Sequence, residues 1–160
     1  VPGMAASGVS AGGTLAMNLA YGGNSAIPVR FVFELAAPTY FVAEDWGSLM
    51  KSDNLGSEEE FYRMMTGKEL SAQEYRQEIK KISPTCLVGE DSVPTLIGYG
   101  LKDHCVPADQ KEYLIDALEK NGVSYDYVEF PHSNHLLYGD LDKMQTFMDL
   151  SLEYCKKYFQ

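Results

Sequence analysis

The sequence predicts an α/β fold, a parallel sheet of about four strands flanked by helices. Three observations predict it. Short apolar runs alternate with amphipathic stretches along the chain. One run, Val29 to Ala37 (VRFVFELAA), is almost continuously apolar, as suits a central strand covered on both faces. Finally, a short run of small apolar residues, Gly3 to Val9, leads through glycines straight into a helical stretch.

The elements follow in order. Gly3 to Val9 reads as the first strand and Ala11 to Tyr21 as a helix, with Leu15, Ala16, Leu19 and Ala20 as its apolar face and Gly22-Gly23 as its stop. The second strand, Val29 to Ala37, ends at Pro38. Residues 39–83 read as a helical insertion, irregular and polar from Trp46 to Asn54. Within it, Ser57-Glu58-Glu59-Glu60 and Ser71-Ala72-Gln73-Glu74 are capping boxes. They open one helix through Met65 and a second to about Ile82. An ordinary crossover with an extra helix is the plainer reading of the same residues.

Thr95 to Gly100 (TLIGYG) is the third strand. Pro107 to Asn121 is a helix that buries Tyr113, Leu114, Ala117 and Leu118 and closes at Gly122. Ser124 to Phe130 is the fourth strand. Asp140 to Tyr158 is a long terminal helix with Leu141, Met144, Phe147, Met148, Leu152 and Cys155 turned inward.

Composition narrows the function. The chain has 160 residues, 45% of them hydrophobic, and a net charge of −10. That supports one domain with a real core, and the acidic balance argues against nucleic acid as a partner. No apolar run reaches the ~18 residues of a membrane span. The three cysteines, Cys86, Cys105 and Cys155, form neither an even set nor a C-x-x-C pair. They are expected to be buried or half-buried free thiols in a reducing, cytoplasmic setting, with no metal site and no cofactor.

The chemistry gathers at Gly8-Val9-Ser10-Ala11-Gly12, a G-x-S-x-G motif between a strand and a helix. A serine on so tight a turn projects its hydroxyl above the sheet, and glycine two residues to either side avoids a collision. Gly13 permits close packing against the neighbouring backbone. The helix start offers the free N–H of Ala11 to a developing oxyanion. The following residues exclude a Walker loop and a dinucleotide fingerprint. A plain glycine-rich turn is the bland alternative.

A serine nucleophile needs a base, and the base needs an orienting carboxylate. Asp103 follows the third strand and His135 follows the fourth, so both fall at the strand ends where Ser10 lies. His132 and His104 compete with His135. Asp91, ahead of the third strand, and Asp109, in the first turn of a helix, compete with Asp103.

Together these motifs carry a family likeness. Gly-Val-Ser-Ala-Gly-Gly (8–13), Ser-Pro (83–84), Pro-Thr-Leu-Ile-Gly-Tyr-Gly-Leu-Lys-Asp-His-Cys-Val-Pro (94–107) and Asn-His (134–135) resemble the α/β-hydrolase superfamily, above all its esterase/lipase branch. The resemblance spans essentially the whole chain. It implies Ser10 as nucleophile, Asp103 as acid, His135 as base and the Ala11 N–H as oxyanion donor. It also implies a cap over the acyl pocket at residues 39–82, and Tyr40, Phe41 and Trp46 are candidate pocket residues there.

The family's earlier strands and its His-Gly-Gly-type oxyanion loop have no counterpart here. The expectation is therefore the C-terminal half of the fold, a fragment with little activity alone. Its strand 3–9 would be an open edge, able to pair with another copy or with an N-terminal half. The expected activity is hydrolysis of a small-molecule carboxylic ester through an acyl-enzyme. The alternatives are a prolyl-oligopeptidase-like peptidase half and a non-catalytic module that keeps the motifs.

Overall fold

The structure is a computed structural model that describes residues 3–42 and 57–160. Its sheet has four strands, β1 (Met4–Val9), β2 (Val29–Leu35), β3 (Thr95–Gly100) and β4 (Tyr125–Phe130), in the order β1-β2-β3-β4. All three pairings are parallel. Helices α1 (Ala11–Tyr21), α2 (Glu58–Thr66), α3 (Ala72–Lys80), α4 (Pro84–Leu87), α5 (Gln110–Lys120) and α6 (Leu141–Tyr158) connect and flank the strands. This is the α/β fold the sequence predicts, and β1 lies at one edge of the sheet.

The core has two layers because the strands are covered on both faces. Every residue of β3 is buried. On one face Val32, Ile97 and Tyr99 pack with Met17 of α1 and with Leu114 and Leu118 of α5. On the other, Phe31, Leu96 and Phe130 pack with Phe147 and Tyr154 of α6. Leu96, Ile97 and Phe147 are almost wholly removed from water. Each such side chain stabilises the fold by roughly 1.5–3 kcal/mol relative to an exposed one.

Several boundaries differ from the sequence reading, each for a local reason. β2 stops at Leu35, because Ala36 turns to φ +51° and Ala37 directs its N–H back to the Glu34 carboxylate. α5 begins at Gln110, three residues after Pro107. Its lead-in closes through tight bonds such as Gln110 N–H to Pro107 O and Glu112 N–H to Asp109 O, both 3.0 Å. The one-turn helix α4, entered through Pro84, was not foreseen.

Two helix faces are rotated from their expected orientation. α1 buries Gly13, Ala16, Met17 and Tyr21, while Leu15 and Leu19 point outward. In α6, Phe147 is buried and Met144 and Cys155 half-buried against the core as expected, but Ser151 and Tyr154 take the inward places expected for Leu141, Met148 and Leu152, which are exposed. The aromatic side of α6 wins because Phe31 packs against Tyr154 and Tyr158, with ring centroids 5.7 and 5.9 Å away. The Tyr154 hydroxyl also finds a buried acceptor at Thr95 O, 3.1 Å distant.

α2 and α3 are each opened by a complete capping box, Ser57 with Glu60 and Ser71 with Glu74, as the sequence predicts. They share a small separate core of Phe41, Phe61, Tyr75 and Ile79. The stretch from Trp46 to Asn54 lies outside the described residues. No disulfide forms. Cys86 and Cys105 are exposed rather than buried, and Cys155 is half-buried. No helix among the described residues is long and apolar enough to cross a membrane.

Candidate active site

Ser10 sits between β1 and α1 at φ +54° and ψ −129°, a region that non-glycine residues avoid. Holding it there costs on the order of 1–3 kcal/mol. The surroundings over-determine it: Ser10 N–H donates to Leu35 O at 2.8 Å, and Gly13 N–H donates to Ser10 O at 2.9 Å. A side chain at Gly8 would place its Cβ 2.2 Å from the carbonyl of Gly12, so only glycine fits. At Gly12 the same Cβ would meet nothing within 4 Å. The collision expected on both sides of the serine therefore holds for Gly8 alone. Gly13 lets the helix start approach the strands, since a Cβ there would lie 2.6 Å from that of Ala37.

The loop after β3 is organised by Asp103. Its Oδ1 accepts the N–H groups of Cys105 at 2.8 Å and Val106 at 2.9 Å. The loop after β4 lies against it, stitched by Lys102 N–H to Ser133 O at 3.0 Å. Gly100 makes this crossing possible, because a Cβ there would come within 2.5 Å of Ser133 O. The outcome is a 2.7 Å hydrogen bond between His135 Nδ1 and Asp103 Oδ2. With Oδ2 as the acceptor, Nδ1 is the donor and Nε2 carries the lone pair. Asp103 is buried, and the His135 side chain keeps 19% of its surface exposed.

Parallel pairing brings Ser10, Asp103 and His135 to the same end of the sheet, because each follows the C-terminal end of its strand. Among the described residues no hydrogen bond joins the Ser10 hydroxyl to the His135 ring. In an unliganded site that link is commonly open and closes around substrate. α1 begins at Ala11, whose N–H is one of the four that a helix leaves without an intrahelical acceptor.

The competing residues are engaged elsewhere or exposed. His132 Nδ1 pairs with Asp140 Oδ1 at 2.7 Å. His104 and Asp91 are exposed. Asp109 stands before α5 without a side-chain capping bond.

A cavity of about 500 Å³ opens beside Ala11, walled by Leu15, Pro38, Phe41, Phe61, Met65 and Ile82 among others. Phe41, a candidate pocket residue from the sequence, lies in that wall. Tyr40 is not in that wall; its ring packs against Tyr113 at a centroid distance of 4.9 Å. Trp46 lies outside the described residues.

Two features escaped the sequence reading. Asp140, just ahead of α6, ties together the loop that carries His135: its Oδ2 accepts from the Ser133 hydroxyl at 2.6 Å and from His132 N–H at 2.9 Å. Glu34 lies buried beneath the serine turn. Its Oε2 accepts Ala37 N–H at 2.9 Å, and its Oε1 has no partner. Burial pushes this carboxyl well above its ordinary pKa, against hydrogen bonds from Ala37 and Gly98. An acid inside the run VRFVFELAA was the available signal.

A parallel sheet with a strained serine after one strand, an acid after another and a histidine after the last defines the α/β-hydrolase class. The pattern of the prolyl oligopeptidase family matches residues 3–160, and the chain belongs to that family of α/β serine hydrolases. The neighbour that the sequence reading kept as an alternative is thus the family shown, within the superfamily it named.

Solved structures agree on the fold. A truncated carbohydrate esterase from gut microbiota aligns at TM-score 0.69 and 18% identity, over 96% of this chain and 59% of its own. A thermophilic esterase from Thermogutta terrifontis aligns at 0.65 and 21%, over 96% and 55%. The acylaminoacyl peptidase of Pyrococcus horikoshii aligns at 0.69 and 17%, over 96% and 23%. The chain therefore spans at most about three-fifths of the length of these relatives. No curated protein matches it in sequence.

Proposed function

We propose that this chain carries the catalytic residues of a serine hydrolase that transfers the acyl group of a carboxylic ester to water. The observation that carries the reading is the 2.7 Å bond from His135 to Asp103, at the sheet end where Ser10 is held in strain. His135 Nε2 takes the Ser10 proton as Oγ attacks the ester carbonyl. Asp103 keeps the proton on Nδ1 and stabilises the imidazolium. Ala11 N–H donates to the oxyanion. The leaving alcohol takes its proton from His135, and water, activated by the same ring, releases the acid and restores Ser10.

The apolar cavity beside Ala11 suits an apolar group of the substrate, and its size lies within the usual range for small-molecule sites. Helices α2 and α3, within residues 39–83, act as a cap that supplies Phe61 and Met65 to that wall. A peptide substrate is the second reading, favoured by the family itself.

The test is labelling with a fluorophosphonate probe, followed by hydrolysis of p-nitrophenyl esters against peptide anilides. Labelling that disappears in Ser10→Ala and falls in His135→Gln supports the mechanism. Labelling that survives Ser10→Ala defeats it. Faster turnover of anilides than esters selects the peptidase reading.

A further inference from the structure

We propose that Asp103, Cys105 and His135 form a binding site for a thiophilic divalent cation, Zn²⁺ or Cd²⁺, and that occupancy silences the base of the hydrolase. The second half rests on the reading above; the first half does not.

Among the described residues, these three are the one group of histidine, cysteine and acidic side chains whose candidate ligand atoms all come within 4.8 Å of one another. One carboxylate organises the other two. Asp103 Oδ1 holds the backbone N–H of Cys105 at 2.8 Å, which fixes the base of the thiol side chain. Asp103 Oδ2 holds the His135 ring at 2.7 Å. The group is approachable, since Cys105 is exposed and His135 is partly so.

Ligand atoms around a tetrahedral zinc stand roughly 3.5 Å apart, given bonds of ~2.0–2.3 Å. Metal entry replaces the 2.7 Å hydrogen bond between Asp103 and His135 and turns the His135 ring and the exposed Cys105 side chain toward one ion. A thiolate, an imidazole and a carboxylate are the donors of zinc-type ions, while calcium and magnesium prefer all-oxygen sets. Three protein ligands leave a fourth position for water. The net charge of −10 favours cation encounter.

The inhibitory step balances simply. The Cys105 thiol gives its proton to solvent and its sulfur lone pair to the metal. If His135 binds through Nε2, the lone pair that would take the Ser10 proton is consumed. If it binds through Nδ1, the ring proton moves to Nε2 and occupies the same lone pair. Neither form can act as the base.

The experiment titrates Cd²⁺ into the protein in chelator-free buffer and follows the thiolate-to-cadmium charge-transfer band in the ultraviolet. In parallel, Zn²⁺ is added during fluorophosphonate labelling. Expected is a saturable band of one equivalent that persists in a Cys86→Ser, Cys155→Ser double variant. In Cys105→Ser the band is lost, or binding weakens by at least about 100-fold, beyond the 10–100-fold cost of losing a mere supporting partner.

Labelling should slow by at least about tenfold with Zn²⁺ and recover with a chelator, and Zn²⁺ should leave the labelling of Cys105→Ser at that variant's own metal-free rate. Absence of the band in the unaltered protein, or its full persistence in Cys105→Ser, overturns the site. A band with unslowed labelling overturns the inhibition. If the metal-free protein does not label at all, the hydrolase reading fails, and the band alone still decides the site.

Discussion

The Ser133 hydroxyl donates to Asp140 Oδ2 at 2.6 Å, and that bond braces the loop that presents His135 to Asp103. The same carboxylate accepts His132 N–H, while Ser133 Oγ receives Gly139 N–H at 3.0 Å. Burial pushes the Asp140 carboxyl up, but hydrogen bonds from Ser133 and His132 outweigh it and hold it below its ordinary value. A depressed folded-state pKa gives stability above the unfolded value, lost as pH falls through the folded one. The brace is therefore fully present at neutral pH.

Asp140→Ala should free the loop and misplace His135. A displacement on the order of 1 Å costs roughly 10²-fold in rate, so Ser10 labelling should slow by that order while the melting temperature falls only moderately. His132→Ala should slow labelling less than Asp140→Ala, because it removes only an exposed ring's bond to Asp140 and leaves the backbone N–H and Ser133 bonds in place. Equal labelling by Asp140→Ala and the parent chain would remove Asp140 from any positioning role.

The serine turn makes a second contrast. Gly8→Ala would drive a methyl group to 2.2 Å from the Gly12 carbonyl, which backbone cannot yield without moving Ser10. Gly12→Ala meets open space in the first turn of α1. The first substitution should abolish labelling and lower the melting temperature sharply. The second should fold normally and gain up to about 0.5–1 kcal/mol, the helical advantage of alanine over glycine. Thermal melts of both variants check this, and comparable damage at the two glycines would count against the turn described here.

The contrast shows what the sequence could reveal and what it could not. The four parallel strands, both capping boxes and the Asp103–His135 convergence were legible, because apolar runs, caps and parallel strand ends are local signals. Which side of α6 faces the sheet was not. Leu141, Met148 and Leu152 satisfy helical spacing as well as Phe147, Ser151 and Tyr154 do, and the sheet rings Phe31 and Phe33, packed on Tyr154 and Phe147, decide between them. Ser151 hides in the core by donating to Phe147 O four residues back, a device that hydropathy counts as a polar position. The Asp140 brace was invisible for a related reason: its partners lie seven and eight residues away in an irregular loop.

Glu34 yields a pH prediction. Its carboxyl is buried with one oxygen unpartnered, and burial raises its pKa well above the ordinary value. A raised folded-state pKa means that the folded chain binds more protons than the unfolded one between the two values. Stability then declines as pH rises from the unfolded pKa through the folded one, by at most about 1.4 kcal/mol per pH unit for a single group. Glu34→Gln keeps an acceptor for Ala37 N–H and cannot ionise, so it should remove this decline and be the more stable form at alkaline pH. Denaturant unfolding from pH 4 to 9 is the measurement. Parallel curves for the two proteins would show that folding does not raise the Glu34 pKa.

The cavity beside Ala11 leads to the last prediction, which concerns selectivity. Leu15 is 70% exposed, yet it lines that cavity at the first turn of α1, opposite the α2 residues Phe61 and Met65. An exposed leucine contributes little to folding, so Leu15→Ala should leave the melting temperature nearly unchanged. If an apolar substrate group lies along this wall, kcat/KM should rise with chain length in a series of p-nitrophenyl esters. Each methylene seated against the wall is worth roughly 0.8 kcal/mol, or about fourfold. Leu15→Ala should flatten that rise and leave the acetate ester unaffected, because the shortest acyl group does not reach the leucine. Met65→Ala should flatten it from the opposite wall. A chain-length dependence that both substitutions leave intact would place the substrate outside this cavity and remove α2 from any part in selectivity.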